Sequence, residues 1–107
     1  MKINIMKESI PYITDVTIAG ATFQFEFTYN SYDKRVYVTL YDIDDNLIYP
    51  NEPILFGIPL WFNKLVDEKG NFNKKYPQKY IIPNTLDRKA IKIDYENIDK
   101  IELLVED

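Results

Sequence analysis

From Ala21 to Tyr29 the chain reads Ala-Thr-Phe-Gln-Phe-Glu-Phe-Thr-Tyr, an unbroken alternation of apolar and polar residues. Side chains of a strand alternate between its two faces, so Phe23, Phe25, Phe27 and Tyr29 share one side. Thr22, Gln24, Glu26 and Thr28 take the other, and the aromatic side is expected in a core. Gly20 before this strand reads as a turn, and Asn30-Ser31-Tyr32-Asp33-Lys34 after it reads as a hairpin loop. The following run, Arg35 to Ile43, contains Val36, Tyr37, Val38, Thr39, Leu40 and Tyr41. Apolar residues at successive positions predict a strand covered on both faces.

Other strands group around this hairpin. Tyr12 to Ile18 reads as a strand leading into Gly20. Asp42 to Asn46 is turn chemistry, so a further strand is expected from Leu47, ended by Pro50 and Pro53. Ile54 to Phe62 is strongly apolar but carries Gly57 and Pro59, which predicts an extended, docked segment rather than a central strand. Asn63 to Glu68 suits one helical turn, and Lys69 to Gln78 is polar and loop-like, with a turn at Gly70-Asn71. Strands are expected again at Lys79–Ile82, Ala90–Asp94 and Lys100–Glu106. The expectation is a mostly β, single β-rich domain over 1–107. It would be a small antiparallel sheet, barrel-like or sandwich, of about six to seven strands with at most one short helix.

Composition serves mainly to exclude. With 46% hydrophobic residues the chain is too apolar for disorder, and its length suffices to bury roughly two-thirds of the unfolded surface. There is no Cys and no His. Disulfides, thiol nucleophiles, the common zinc sites and His-dependent triads are therefore out of reach. Ser9 and Ser31 do not sit in a G-x-S-x-G turn, and Gly20, Gly57 and Gly70 are too scattered for a phosphate loop. Asp42-x-Asp44-x-Asn46 begins like a calcium loop. The likeness ends there, since Leu47 stands where the glycine belongs and Pro53 where the bidentate Glu belongs. No enzyme activity, cofactor, metal or small-molecule substrate is expected. The first eight residues do not make a secretory signal. No run reaches the ~20 apolar residues of a membrane span, so a cytoplasmic product without membrane contact is expected.

Charge is uneven around a net value of −4. Residues 64–93 carry an excess of Lys and Arg, and residues 94–107 an excess of Asp and Glu. Neighbouring segments of opposite sign are expected to neutralise one another, and a chain of acidic balance is a poor candidate for nucleic acid. The nine tyrosines suit either a core or a sugar-binding face. Trp61 has two readings as well, core anchor or interface hot spot. Because Ile54 to Phe62 needs cover that a central strand cannot provide, Phe56, Leu60, Trp61 and Phe62 are the candidate interface residues.

Three pieces of the chain also carry a family resemblance: Phe27-Thr28-Tyr29-Asn30, then Arg35 to Asp42, then Gly57-Ile58-Pro59-Leu60. Together with the closing Ile101 to Glu106, they resemble the small baseplate plug proteins of contractile-tailed phages and phage-tail-like particles. Where that family has a glycine after Tyr-Asp, this chain has Asp42 to Asn46, and Asn46 is expected to supply the left-handed backbone. The resemblance implies a non-enzymatic structural component made in the bacterial cytoplasm and built into the tail baseplate. Its partners would be hub or tail proteins, with further copies of itself in the particle, and there is no family ligand site to carry over. The alternative from residues alone is a carbohydrate- or cell-surface-binding β-module.

Overall fold

The structure, a computed structural model, describes residues 1–106. Seven strands form two antiparallel sheets. The larger sheet takes β2 (Tyr12–Ile18), β3 (Ala21–Tyr29), β4 (Val36–Asp42) and β5 (Leu47–Pro53) in chain order. The smaller has β7 (Ile101–Val105) in the middle, between β1 (Lys2–Asn4) and β6 (Ile81–Thr85). One short α-helix, α1 (Phe62–Leu65), lies in the long connection from β5 to β6. The mostly β reading holds in class and in strand number.

The β2–β3 connection explains the register of the larger sheet. Ala19 and Gly20 both take positive φ, 52° and 82°, the two-residue turn whose twist matches that of its flanking strands. It sets Ile18 opposite Ala21 and carries the pairing without a break to Tyr12 opposite Phe27. Phe23, Phe25 and Phe27 are buried as the alternation requires. Tyr29 is not: at the end of the strand it is partly exposed and packs on Tyr95, with ring centroids 4.5 Å apart. On β4 only one face is fully enclosed, that of Val36, Val38 and Leu40. Tyr37 and Tyr41 on the other face are half-buried, because no second layer covers them. Thr39 between them is buried, and its Oγ1 accepts the Asn51 N–H at 3.0 Å. Cover on both faces was thus an over-reading of a run whose outer residues are amphipathic tyrosines.

Three further expectations change in the structure. Pro50 does not end β5 but lies within it, which is tolerated because β5 is an edge strand with two register breaks against β4. Residues 90–94 form no strand. Asp94 and Asn97 instead exchange side-chain-to-backbone hydrogen bonds, and Ile93 alone is buried. The short β1 was not anticipated, and β6 sits two residues later than expected, with Pro83 inside. Val105 N–H donates to the Met1 carbonyl at 2.9 Å, so by the alternation of the ladder β6 bonds β7 through Ile82 and Asn84. Pro83 points its missing N–H away from β7 and costs the ladder nothing.

Both sheets contribute to one core, in which Phe25, Phe27, Val38, Leu40, Ile98 and Leu103 are fully enclosed. The buried Glu102, on the central strand β7, pairs with Lys2 at 3.3 Å.

Candidate interaction surface

The segment after β5 clasps the two sheets together. Ile54 N–H donates to Val36 C=O at 3.2 Å on the larger sheet. Gly57 and Leu60 N–H donate to Pro83 and Ile81 C=O, both at 2.9 Å, on the free edge of β6. Between these anchors Ile58 N–H closes a turn onto Leu55 C=O, with Gly57 at φ 72° in the third position, where a turn of this kind needs a left-handed residue. The segment Ile54–Phe62 is docked as expected but not extended throughout, since turns at Phe56–Gly57 and Leu60–Trp61 bend it and Phe62 begins α1; the anchoring residues Ile54 and Leu60 are buried.

Trp61 closes the segment. It is only 2% exposed, meets Phe25 edge-to-face at 5.4 Å and also contacts Tyr76. Its backbone is left-handed, at φ 56° and ψ 30°, an uncommon conformation for a bulky residue. Hydrogen bonds on both sides hold it there. The Trp61 N–H donates to Glu52 Oε2 at 2.6 Å, while its carbonyl accepts from Lys64 and Leu65 N–H at 2.8 and 3.1 Å, starting α1. Burial raises the Glu52 carboxyl above the usual carboxylate range, only partly offset by the Trp61 N–H. Burial likewise raises the Tyr76 hydroxyl, helped by the nearby Tyr49 and Glu52. The indole N–H of Trp61 is buried without a hydrogen-bond partner.

The four candidate interface residues thus separate. Leu60 and Trp61 belong to the core, since the backbone bonds to Ile81 and Glu52 turn both inward. Phe56 is half-buried against the core margin. Phe62, on the outer side of α1, is 56% exposed. Ile58 was not singled out by sequence, yet it is 50% exposed. The signal was present in its flanking residues, because a turn glycine and a proline lift the residue between them off the sheet. Ile58, Pro59 and Phe62 share one open groove with Tyr49 and Glu52. A second groove, at the β3–β4 loop, is lined by Tyr29, Tyr32 and Tyr37 with Asn30, Ser31 and Asn51.

The remaining polar features are turn chemistry. The Asp42 carboxylate accepts from Asp44 N–H, Asn46 N–H and the Asn46 side-chain amide, at 2.9 to 3.0 Å. These bonds, those to Asn46 foremost, hold Asp42 below the usual carboxylate range. The left-handed residue of this turn is Asp45, at φ 67°, not Asn46. Asp33 is lowered in the same way, chiefly by the Tyr37 hydroxyl. Among the described residues no three His, Cys, Asp or Glu side chains are grouped to hold a metal. Among the described residues no helix is long and apolar enough to cross a membrane. The basic stretch 64–93 makes no ion pair with the acidic closing stretch among the described residues; the ion pair present joins Lys2 to Glu102.

A family model described as cyanophage baseplate Pam3 plug gp18 matches residues 1–106. The chain belongs to that family. The match covers all seven strands, well beyond the hairpin and the Gly-Ile-Pro-Leu segment that carried the resemblance in sequence. No curated protein matches the chain. Membership of the baseplate plug family points to a structural role in a phage-tail baseplate.

Proposed function

We propose that the chain is a non-enzymatic plug that packs at the central hub of a baseplate through protein–protein contacts, with the Ile58–Phe62 groove as one contact surface. The observation that carries this reading is the family match over residues 1–106. Apolar exposure in the very segment that clasps the two sheets supports it. Backbone hydrogen bonds of Gly57 and Leu60 to β6 anchor the chain on either side of Ile58, so less ordering entropy is lost on docking. Partners are hub or tail proteins, with further copies of the chain in the same particle, and the destination is the tail of a virion or phage-tail-like particle.

The test is Phe62→Asp, read by thermal melting and by incorporation into assembled tails. An exposed side chain contributes within about 0.5 kcal/mol to folding, so melting should stay near that of the wild type. Aromatic anchors at interfaces commonly contribute about 2 kcal/mol or more, so incorporation should fall by more than about tenfold. Normal incorporation would remove this groove from the interface.

One observation favours a second reading, the binding of a cell-surface glycan. Tyr29, Tyr32 and Tyr37 line a groove together with Asn and Ser side chains, and Tyr32 is 97% exposed. Saturable shifts of these tyrosine resonances on titration with cell-wall glycans would support that reading, and the plug reading expects none.

A further inference from the structure

The two sheets expose four strand edges, and three of them are guarded. β5 carries Pro50 and Pro53, two register breaks and a left-handed Asn51. Backbone bonds from Gly57 and Leu60 cover β6. β1 is three residues long and begins with an exposed lysine. Prolines, bulges, cover, shortness and charged side chains, lysines above all, are the devices by which proteins keep edges from pairing with other chains. β2 has only the exposed carboxylate of Asp15. Its seven residues, Tyr12 to Ile18, contain no proline, no lysine and no register break.

The free hydrogen-bonding groups of that edge can be assigned residue by residue. The two-residue turn makes Ile18–Ala21 a hydrogen-bonded pair, and the ladder alternates from there. Val16, Thr14 and Tyr12 therefore bond β3, while Ile13, Asp15 and Thr17 direct their N–H and C=O groups away from it. Outside the ladder none of these three backbones makes a hydrogen bond among the described residues. By the same reasoning from the Val105–Met1 bond, the outward groups of β1 are those of Lys2 and Asn4. Edge residues of β1 and β2 line one groove. The N–H of Met6 closes one end of it by donating to the Tyr12 hydroxyl at 3.0 Å. The chain clasps its sheets on the β4–β6 side and leaves the β1–β2 side open.

We infer that β2 is a docking edge that accepts an extended segment of a partner protein as an added strand. Main-chain bonds to Ile13, Asp15 and Thr17 would supply the affinity and alternate side chains the specificity. The outer face of β2 defines that segment's chemistry. Ile13 is 54% exposed, and Asp15, also exposed, makes no ion pair among the described residues. The complement is an apolar residue beside Ile13 and a Lys or Arg beside Asp15. A second copy fits less well. The two-fold antiparallel register that uses all three outward residues sets Ile13 against Thr17 and Asp15 against Asp15, and like charges directly opposite are destabilising. Taking the partner to be a baseplate protein rests on the function proposed above.

The test uses the intact protein in tail assembly. Thr17→Pro removes an outward N–H that the β2–β3 ladder does not use, together with the solvent-exposed hydroxyl contact to Thr22 at 2.8 Å. The variant should melt near the wild type yet enter tails about tenfold less, the factor expected when one such hydrogen bond and the close approach around it are lost. Hydrogen exchange on the wild type reads the same edge without a substitution. The Ile13, Asp15 and Thr17 amides should exchange at least about tenfold more slowly in assembled tails than in the free protein. Unchanged exchange at these amides, or normal incorporation of a folded Thr17→Pro, would overturn the docking edge and leave the baseplate role standing. Failure of the wild type to enter tails at all would overturn the baseplate role and the partner with it. Sedimentation showing a wild-type dimer that Thr17→Pro disrupts would assign the edge to a second copy and overturn the partner assignment.

Discussion

At the scale of single residues, Trp61 concentrates the most consequence. Its indole fills the space beside Phe25, its backbone is left-handed, and the half-buried Glu52 caps its N–H. Trp61→Ala should therefore cost about 3–5 kcal/mol, as large-to-small changes in cores do, and thermal melting will show it. Reading Trp61 as an interface anchor would leave the isolated domain equally stable, so a near-normal melt would contradict its place in the core. Trp61→Phe should be far milder, since it keeps an aromatic ring and removes a buried N–H that has no partner. Phe25→Ala, fully enclosed in the mid-strand, is expected to cost about 3–5 kcal/mol as well. For Glu52 the folded-state carboxyl is raised, so its contribution weakens the fold as pH rises through that raised value. Glu52→Gln keeps an acceptor for the Trp61 N–H and should melt no lower than the wild type at neutral pH. Glu52→Ala leaves that N–H buried and unpaired, at a cost of about 1–3 kcal/mol. Asp33 and Asp42 have the opposite sign. Both are held below the ordinary range, so the stability they add is present above that range and is lost as pH falls through their lowered values. In Glu52→Gln, which lacks that opposing carboxyl, melting followed from neutral to acid pH should decline, and adding Asp42→Asn should flatten part of that decline.

Among the elements, β2 and β3 show how far a local pattern carries. The alternation of β3 and the Ala19-Gly20 turn together assign every β2–β3 pair, and hence which β2 amides are inside the ladder and which are free. Proline substitution along β2 gives the corresponding test. Val16→Pro removes the N–H that bonds Phe23 and leaves its ladder acceptor unpaired, so it should destabilise by about 1–3 kcal/mol. The same change at Thr17 should cost much less, and equal losses at the two positions would refute the assigned parity. The clasp from Ile54 to Trp61 works differently. Apart from Gly57 and Pro59, which bracket Ile58, nothing in the order of its apolar residues says which point inward. That is settled by three backbone bonds to Val36, Pro83 and Ile81, groups distant in sequence. Gly57→Ala would meet no atom within 4 Å but would hold alanine at φ 72°. A cost of roughly 1–2 kcal/mol is expected, from backbone strain alone.

Across the whole molecule, two sheets share a core, one side is clasped by the chain itself, and the opposite side presents a strand edge guarded only by the charge of Asp15. Hydrophobic alternation, turn residues and proline positions determined the mostly β class, the β2–β3–β4 hairpins, the docked nature of Ile54–Phe62 and the helical turn that overlaps α1. These are local signals, because side-chain period and backbone φ are set within a few residues. The missing His and Cys likewise removed most catalytic chemistry before any fold was considered. What sequence alone could not decide were the features that depend on a distant partner. Trp61 and Phe62 are adjacent and both aromatic, yet one is core and the other surface, because the first is bonded to Glu52 and packed on Phe25 while the second lies on the outer side of α1. Residues 90–94 alternate much like a strand but find no neighbour to pair with, so only Ile93 is buried. The extreme brevity of β1 hid it, since three residues become a strand only when β7 offers an edge. Burial and edge exposure are properties of the assembled chain, and tertiary structure alone assigned them.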